Sequence, residues 1–482
     1  MAISQAPATA GRPISDDDVA ALRALVRGDL LRPGDAEYER ARQVFNKMVD
    51  RHPALIVRAV DAADVIAAVN FARERKLDLS VRGGSHNVVG FATNDGGIVI
   101  DLSRMRGVHV DPARQRVRAE GGCTWGDVDH ATHAFGYAVP AGLVSTTGIG
   151  GLTLGGGIGH LTRAYGLSCD NLISADVVTA DGRLIVASAD ENPDLFWGLR
   201  GGGGNFGVVT SFEYRLSPVS DIVGGPIIYP IERARDVLGL YREVMASAPN
   251  DLNAFFAFLI VPDAPTFPEH LRNQRACAVA LCYSGPRERA DETLRPFREF
   301  GPPALDATGP MPLPALNSMF DAMSRPGEHF NYWKADFANE LSDAMLDTHA
   351  EYGPRVPSGS SGMHIYPVNG AVHRVSNQET AWAYRDAEYT HIIIGEYPDP
   401  ADTERTINWV RAYWDALHPY SAGGAYVNFL MDEGNERLRA TYRDNYDRLV
   451  ELKRKYDPTN LFHMNQNIAP EPAEATPTEA RA

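Results

Sequence analysis

Seven glycines fall within the twelve residues Gly148–Gly159. Glycine in the interior of a helix or strand costs about 1 kcal/mol relative to alanine. A stretch this dense therefore reads as backbone that something must approach closely. Leu152, Leu154 and Ile158 lie between the glycines and call for burial, which argues against a flexible surface loop. A second such place is Arg82-Gly83-Gly84-Ser85-His86-Asn87, directly after the apolar-alternating stretch Leu77–Val81. Paired glycines at a strand end can turn several N–H groups inward and form a nest for an anion such as a pyrophosphate. The plainer alternative for Arg82–Asn87 is an ordinary tight turn.

Other features narrow the function. A net charge of −16 over 482 residues argues against nucleic acid or an anionic membrane as partner, since both need clustered Lys and Arg. No apolar run approaches the ~18–20 residues of a membrane span. Met1–Ser15 is polar and lacks the apolar core of a signal peptide. Cys123, Cys169, Cys277 and Cys282 form no C-x-x-C, and the last two would face opposite sides of one strand. The expectation is four reduced thiols in a cytoplasmic protein. Gly202-x-Gly204-x-x-Gly207 matches a dinucleotide fingerprint literally, but it follows the helix-like Asp194–Leu199 instead of a strand, so a nicotinamide-binding fold is not expected. Asp127, His130 and His133 have metal-like spacing but read as an exposed helix face, and no metal site is expected.

The chain falls into textures. Residues 1–14 and 471–482 are rich in Ala, Pro, Thr and Glu and are expected to be disordered. Asp61–Lys76 reads as an amphipathic helix among short strands at Ala54–Val60, Leu77–Val81 and Gly97–Leu102. Asp181-Gly182 predicts a hairpin over Asp176–Ala187. After Pro218, alternating runs such as Asn253–Val261 and Ala276–Tyr283 interleave with helical stretches at Glu232–Met245, Arg287–Phe300 and Arg405–Leu417, a texture that resembles an antiparallel sheet backed by helices. A last helix is expected over Asn435–Tyr456, stopping at Asp457-Pro458.

These motifs, in this order, resemble the berberine-bridge-enzyme-like oxidoreductases of the vanillyl-alcohol-oxidase flavoprotein superfamily. The matching pieces are Arg82–Asn87, Gly148–Gly159, Tyr165-Gly-Leu through Asp170-Asn171, Arg200–Gly207, Tyr426-Val-Asn428 and Asp457-Pro458…Asn465-Gln-Asn467-Ile468. The resemblance spans roughly residues 40–218 and 423–470. It implies an α+β, two-domain PCMH-type FAD-binding fold with an inserted antiparallel-sheet substrate domain. The expected division is 15–218 and 423–470 for FAD and 219–422 for substrate. It further implies FAD as cofactor, bonded covalently to His86. Cofactor contacts would come from Arg82, Gly83, Gly84, Ser85, His86, Asn87, Ser103, Thr147, Gly148, Gly151, Gly155, Gly156, Gly159, Asp170, Asn171, Val208, Tyr426, Asn465 and Asn467.

Two departures from the family pattern matter. Many relatives add a second covalent link through a cysteine, and Val144 takes that place here, so a single link through His86 is expected. Plant-type members carry Tyr-x-Asn-Tyr, and Phe429 replaces the second tyrosine, a candidate base. Tyr426, His373 and Tyr384 are the catalytic candidates that remain in first place, with His364, Tyr332, Tyr389 and His391 behind them. The implied reaction is hydride transfer from a C–H bond of a small organic substrate, a secondary metabolite or a sugar, to the flavin, with dioxygen as acceptor and hydrogen peroxide as product. The alternatives are a flavin dehydrogenase using another acceptor and a flavin-containing binding protein with little turnover.

Overall fold

A computed structural model of the protein describes residues 14–323 and 325–470. The expected disorder of residues 1–14 and 471–482 thus concerns segments that, Ile14 apart, lie outside the described residues. Three sheets organise the rest. A four-stranded sheet runs Asp29–Leu31, Leu55–Arg58, Ile98–Asp101, Leu79–Arg82, antiparallel at its first pair and parallel after it. The helix Ala62–Arg75 makes the crossover. Asp61 caps its start through the Asp64 N–H, and Lys76 ends it in the left-handed conformation. A five-stranded antiparallel sheet follows, in the order Val108–Asp111, Arg116–Glu120, Val208–Arg215, Leu172–Val178, Leu184–Ser188. The hairpin turn at Asp181-Gly182 is present, with Gly182 at φ +80°.

The third sheet has eight strands, all antiparallel, between Asp221 and Tyr397. Period-two alternation gives it two faces. Phe256, Phe258, Val279, Leu281, Ile365 and Ile393 pack with the helices Ala234–Ser247, Asp343–Tyr352 and Thr403–Leu417. Phe255, Ala257, Ala335, Phe337, Tyr366 and Ile392 face the other way and share one core with Trp125, Phe212, Tyr426 and Ile468. That second core joins residues between Val117 and Leu216, residues between Ala425 and Ile468, and the near face of the large sheet. Cys277 and Cys282 fall in different cores, and all four cysteines are free and buried.

Two expectations need correction. The last helix is not continuous. It breaks between Asn435–Tyr442 and Tyr446–Tyr456, where Arg443 takes φ +46°. The break turns the Arg443 guanidinium over the Tyr384 ring, 3.5 Å from its centroid, and onto the Asp386 carboxylate at 2.6 Å. The glycine-dense stretch also contains a helix, Ile149–Leu154, although its glycine density argued against a helix interior. Its stability comes from burial of Ile149, Thr153 and Leu154, which outweighs the propensity cost of Gly150 and Gly151.

One buried ion pair closes the two chain ends on each other. Lys453 and Asp457 are both fully buried, with Nζ 2.8 Å from Oδ2. Nζ also donates to the Asn205 and Phe462 carbonyls, and the Asp457 carboxylate accepts from the Leu461 and Phe462 N–H groups. Removing one partner strands a charge in the core, at a cost of about 3–5 kcal/mol. Asp457→Ala should therefore lose that much stability in urea unfolding, and Lys453→Met combined with Asp457→Leu should regain most of it.

Candidate active site

The loop after Leu79–Arg82 is held by contacts from every side. Gly84 lies so close to Gly148 that a Cβ on either would come within 2.2 Å of the other's backbone nitrogen. The two glycine stretches thus meet backbone to backbone. Much of the close approach inferred from glycine density is made by the chain itself: a Cβ at Gly159 would strike the Ala141 carbonyl, and one at Gly155 the Asn428 side chain. Gly151 and Gly204 differ, since nothing lies within 4 Å of a Cβ there, and at Gly83 the nearest atom is 3.6 Å away. Gly151 and Gly204 border open space, and Gly83 would tolerate a Cβ in ordinary contact with the Gly121 carbonyl.

Ser85 sits at φ +61°, a strained position for a residue with a Cβ, and its Oγ is buried without a partner. Next to it, His86 Nε2 lies 3.1 Å from Thr146 Oγ1, and the ring stacks on Phe45 at 5.3 Å. Burial pushes the imidazole pKa down to about 4, so the ring is neutral at physiological pH. From Phe45 a line of ring contacts continues through Trp333 and Phe429 to Tyr366 and Phe255. The two loops and the near face of the large sheet are thereby parts of one wall.

Several expected ligands have other duties. Asp170 is clamped by Arg385 in a two-toothed pair at 2.6 and 2.7 Å and also accepts from the Leu167 N–H, so its carboxylate is spent inside the protein. Asn171 donates to the Tyr165 and Leu167 carbonyls. Asn87 Oδ1 accepts from the Val89 and Phe91 N–H groups and shapes the turn. The Arg82 guanidinium donates to the Gln43 carbonyl, and the Val208 side chain is buried in the core of the four-stranded sheet. Ser103 is exposed, its N–H on Asp101. Thr147 and Gly156 bond through their backbones, to Trp125 and Cys169.

The catalytic candidates do not converge. The Tyr426 hydroxyl accepts from the Gly157 N–H at 2.9 Å and from Asn428 Nδ2 at 2.8 Å, and burial raises its pKa. That runs against a proton acceptor and makes it a tether for the glycine loop. Tyr384 donates to the Ala422 and Ala440 carbonyls and stacks on Phe337 at 4.3 Å. His373 is exposed and bonded to the Ala387 carbonyl at 2.8 Å. His391, on the strand Tyr389–Tyr397, is buried on the far face of the large sheet beside Asp336. Sequence reading missed Asn205, Lys453 and Tyr366. Asn205 lies inside a motif whose glycines drew attention, and its role shows only in three dimensions: Nδ2 holds the Gly202 and Gln466 carbonyls and Oδ1 accepts from the Ile468 N–H.

Comparison with known proteins adds the chemistry. The FAD binding domain family matches residues 53–188, and the berberine and berberine-like family matches residues 425–469. An FAD-linked oxidoreductase of Dictyostelium discoideum is 33% identical over 451 residues, covering 92% of this chain and 95% of that protein. The chain belongs to the berberine-bridge-like FAD-linked oxidoreductases. The crystal structure of 6-hydroxy-D-nicotine oxidase from Arthrobacter nicotinovorans superposes with a TM-score of 0.83 at 28% identity, covering 92% of this chain and 98% of that one. Glucooligosaccharide oxidase of Acremonium strictum, at 22% identity and a TM-score of 0.83, shares the fold, covering 95% of this chain and 100% of that one. The fold is thus the PCMH-type FAD fold.

The residues of this oxidoreductase fit FAD. Ser85 Oγ, Asn465 Oδ1 and Asn467 Oδ1 are buried polar atoms without partners, the state expected of groups awaiting a polar ligand. Asn465 Nδ2 is fixed by the Gly204 and Phe462 carbonyls, which aims its free oxygen. The open backbone at Gly151 and Gly204 provides room. Among the described residues no group of side chains could hold a metal ion, and no helix is long and apolar enough to cross a membrane. Gly84→Ala should force the two loops apart, cost about 3 kcal/mol and lower the flavin-to-protein absorbance ratio. Gly151→Ala, facing open space, should leave the melting temperature nearly unchanged while still lowering that ratio.

Proposed function

We propose that this FAD-linked oxidoreductase holds FAD through a single covalent bond to His86 and oxidises a C–H bond next to a hydroxyl, amine or phenol of a small organic molecule, a secondary metabolite or a sugar. When bound, the flavin supplies the oxidant, taking hydride at N5 and passing the electrons to dioxygen to give hydrogen peroxide. The observation that carries the reading is the place of His86, at the junction of two glycine stretches and one end of the aromatic wall. The neutral imidazole is nucleophilic, and Thr146 engages Nε2, which leaves Nδ1 for the bond. The glucooligosaccharide oxidase is described with a 6-S-cysteinyl, 8α-N1-histidyl FAD. Here Val144 stands where a cysteine would be needed, which supports the histidyl link alone.

The chain's own residues then divide the work. The glycine loops, Ser85, Asn465 and Asn467 bind the cofactor, and Tyr426 and Asn428 fix the loop at Gly157. Residues 15–218 with 423–470 form the FAD domain in this reading, and 219–422 carry the substrate. The large apolar near face of that insert excludes water from the reacting centre. A cytoplasmic setting accords with four free, buried thiols.

A dehydrogenase passing electrons to another acceptor is the second reading. Chemical reduction of the purified holoprotein followed by mixing with air separates the two. Rapid return of the oxidised spectrum with one equivalent of peroxide is expected. A reduced flavin that persists in air but is reoxidised by a quinone or dye establishes the dehydrogenase reading instead.

A further inference from the structure

The near face of the large sheet is mainly apolar: Phe255, Ala257, Trp333, Ala335, Ile392 and Ile394 line it. Of its other polar side chains, Thr390 is spent on the Asp336 carbonyl, and Asn253 donates Nδ2 to the Gly159 carbonyl while its Oδ1 stays buried without a partner. His364 and Tyr366 are different. They sit two apart on the strand Gly362–Pro367, hence on one face, and His364 Nδ1 lies 2.6 Å from the Tyr366 hydroxyl. Tyr366 touches Phe255 at 5.3 Å and Phe429 at 5.9 Å, and so belongs to the ring line that ends at His86. The pair is a hydrogen-bonding island in an aromatic wall. Phe429, between Tyr366 and Trp333, adds no hydroxyl of its own.

Charge and hydrogen-bond capacity limit what such a wall can take. Burial lowers the His364 pKa to about 4 and raises that of Tyr366, so both are uncharged at neutral pH. A charged ligand would lose its hydration without a counter-charge. A sugar would bring many hydroxyls to a surface with few partners, and each unpaired one would weaken binding. A flat ring stacks on Phe and Trp and needs one polar anchor.

We propose that the His364–Tyr366 pair anchors the one hydroxyl or amine of the substrate, and that the surrounding rings select an uncharged planar aromatic compound over an oligosaccharide. This inference rests on the reading above that the sheet face covers the flavin. His160 is the competing anchor: it is buried, neither ring nitrogen has a partner, and its ring lies 6.0 Å from Phe255.

Calorimetric titration of the flavin-loaded protein with 4-methylphenol, toluene and cellobiose tests the proposal. The expected order is 4-methylphenol tightest, toluene weaker, and no measurable heat from cellobiose. Tyr366→Phe should weaken 4-methylphenol about tenfold and leave toluene unchanged, while His160→Leu should alter neither. The proposal is overturned if 4-methylphenol does not bind, if cellobiose binds more tightly, or if His160→Leu takes the tenfold loss in place of Tyr366→Phe. Equal weakening of toluene and 4-methylphenol in Tyr366→Phe would mark a packing role and overturn it as well. His364→Gln, which keeps a neutral polar partner for the phenol, should retain most of the discrimination. Protein that takes up no flavin at all would count against the FAD-site reading, whereas flavin-loaded protein with the wrong ligand order counts against this inference alone.

Discussion

The Lys453–Asp457 pair is the interaction on which the cofactor side of the molecule depends. Two opposite charges, both fully buried, would be a liability if either lacked partners. Here every strong donor and acceptor position is used, and the partners come from two places: Asn205 in the glycine motif that follows the helix Pro193–Leu199, and Leu461 and Phe462 in the closing segment. The pair thus ties residues more than two hundred positions apart in sequence. Asn205 repeats the tie through Gln466 and Ile468, and Asn465 through Gly204. Burial lowers the Lys453 pKa and the Asp457 carboxylate opposes that shift. With the closing segment fixed, Asn465 is held against the Gly204 carbonyl, and its Oδ1 and that of Asn467 are left buried without partners.

The inserted sheet is seated by the same device, polar groups buried between the two parts of the chain and satisfied there. Asn46 donates to the Val88 and Asn331 carbonyls and accepts from the Asn331 N–H, joining the flank of the Arg82–Asn87 loop to the edge strand Phe330–Ala338. Arg163 reaches the Ala248, Pro249 and Leu252 carbonyls and Asn369. Arg385 grips Asp170. Each is specific in direction, so the ties fix how the sheet sits and the shared apolar core supplies the stabilisation.

Much of the fold was legible because its signals are local. Asp61 and Lys76 bound their helix within a residue of the expected ends, and Asp181-Gly182 turned its hairpin. The paired glycines at Gly83-Gly84 and the dense run from Gly148 marked a place of close backbone approach, and the backbone each approaches is chiefly the other. What escaped was set by distant partners. Asp170 looked like a ligand because nothing near it in sequence announces Arg385. The break at Arg443 follows from Tyr384 and Asp386, some sixty residues away. Tyr426 looked like a base until its hydroxyl was seen to accept from Gly157 and Asn428. His364 was one histidine among several, and only the 2.6 Å contact with Tyr366 sets it apart.

The central claim is one flavin held by His86 and by nothing else covalent. Denaturing the purified protein in acid, digesting it with trypsin and weighing the peptides tests it directly. The fragment 83–104, which begins after Arg82 and ends at Arg104, contains His86 and no cysteine. The account predicts that this fragment alone carries the flavin and that His86→Ala releases yellow colour to the acid supernatant. An unmodified 83–104 fragment, or flavin on a peptide containing Cys123 or Cys169, would contradict it.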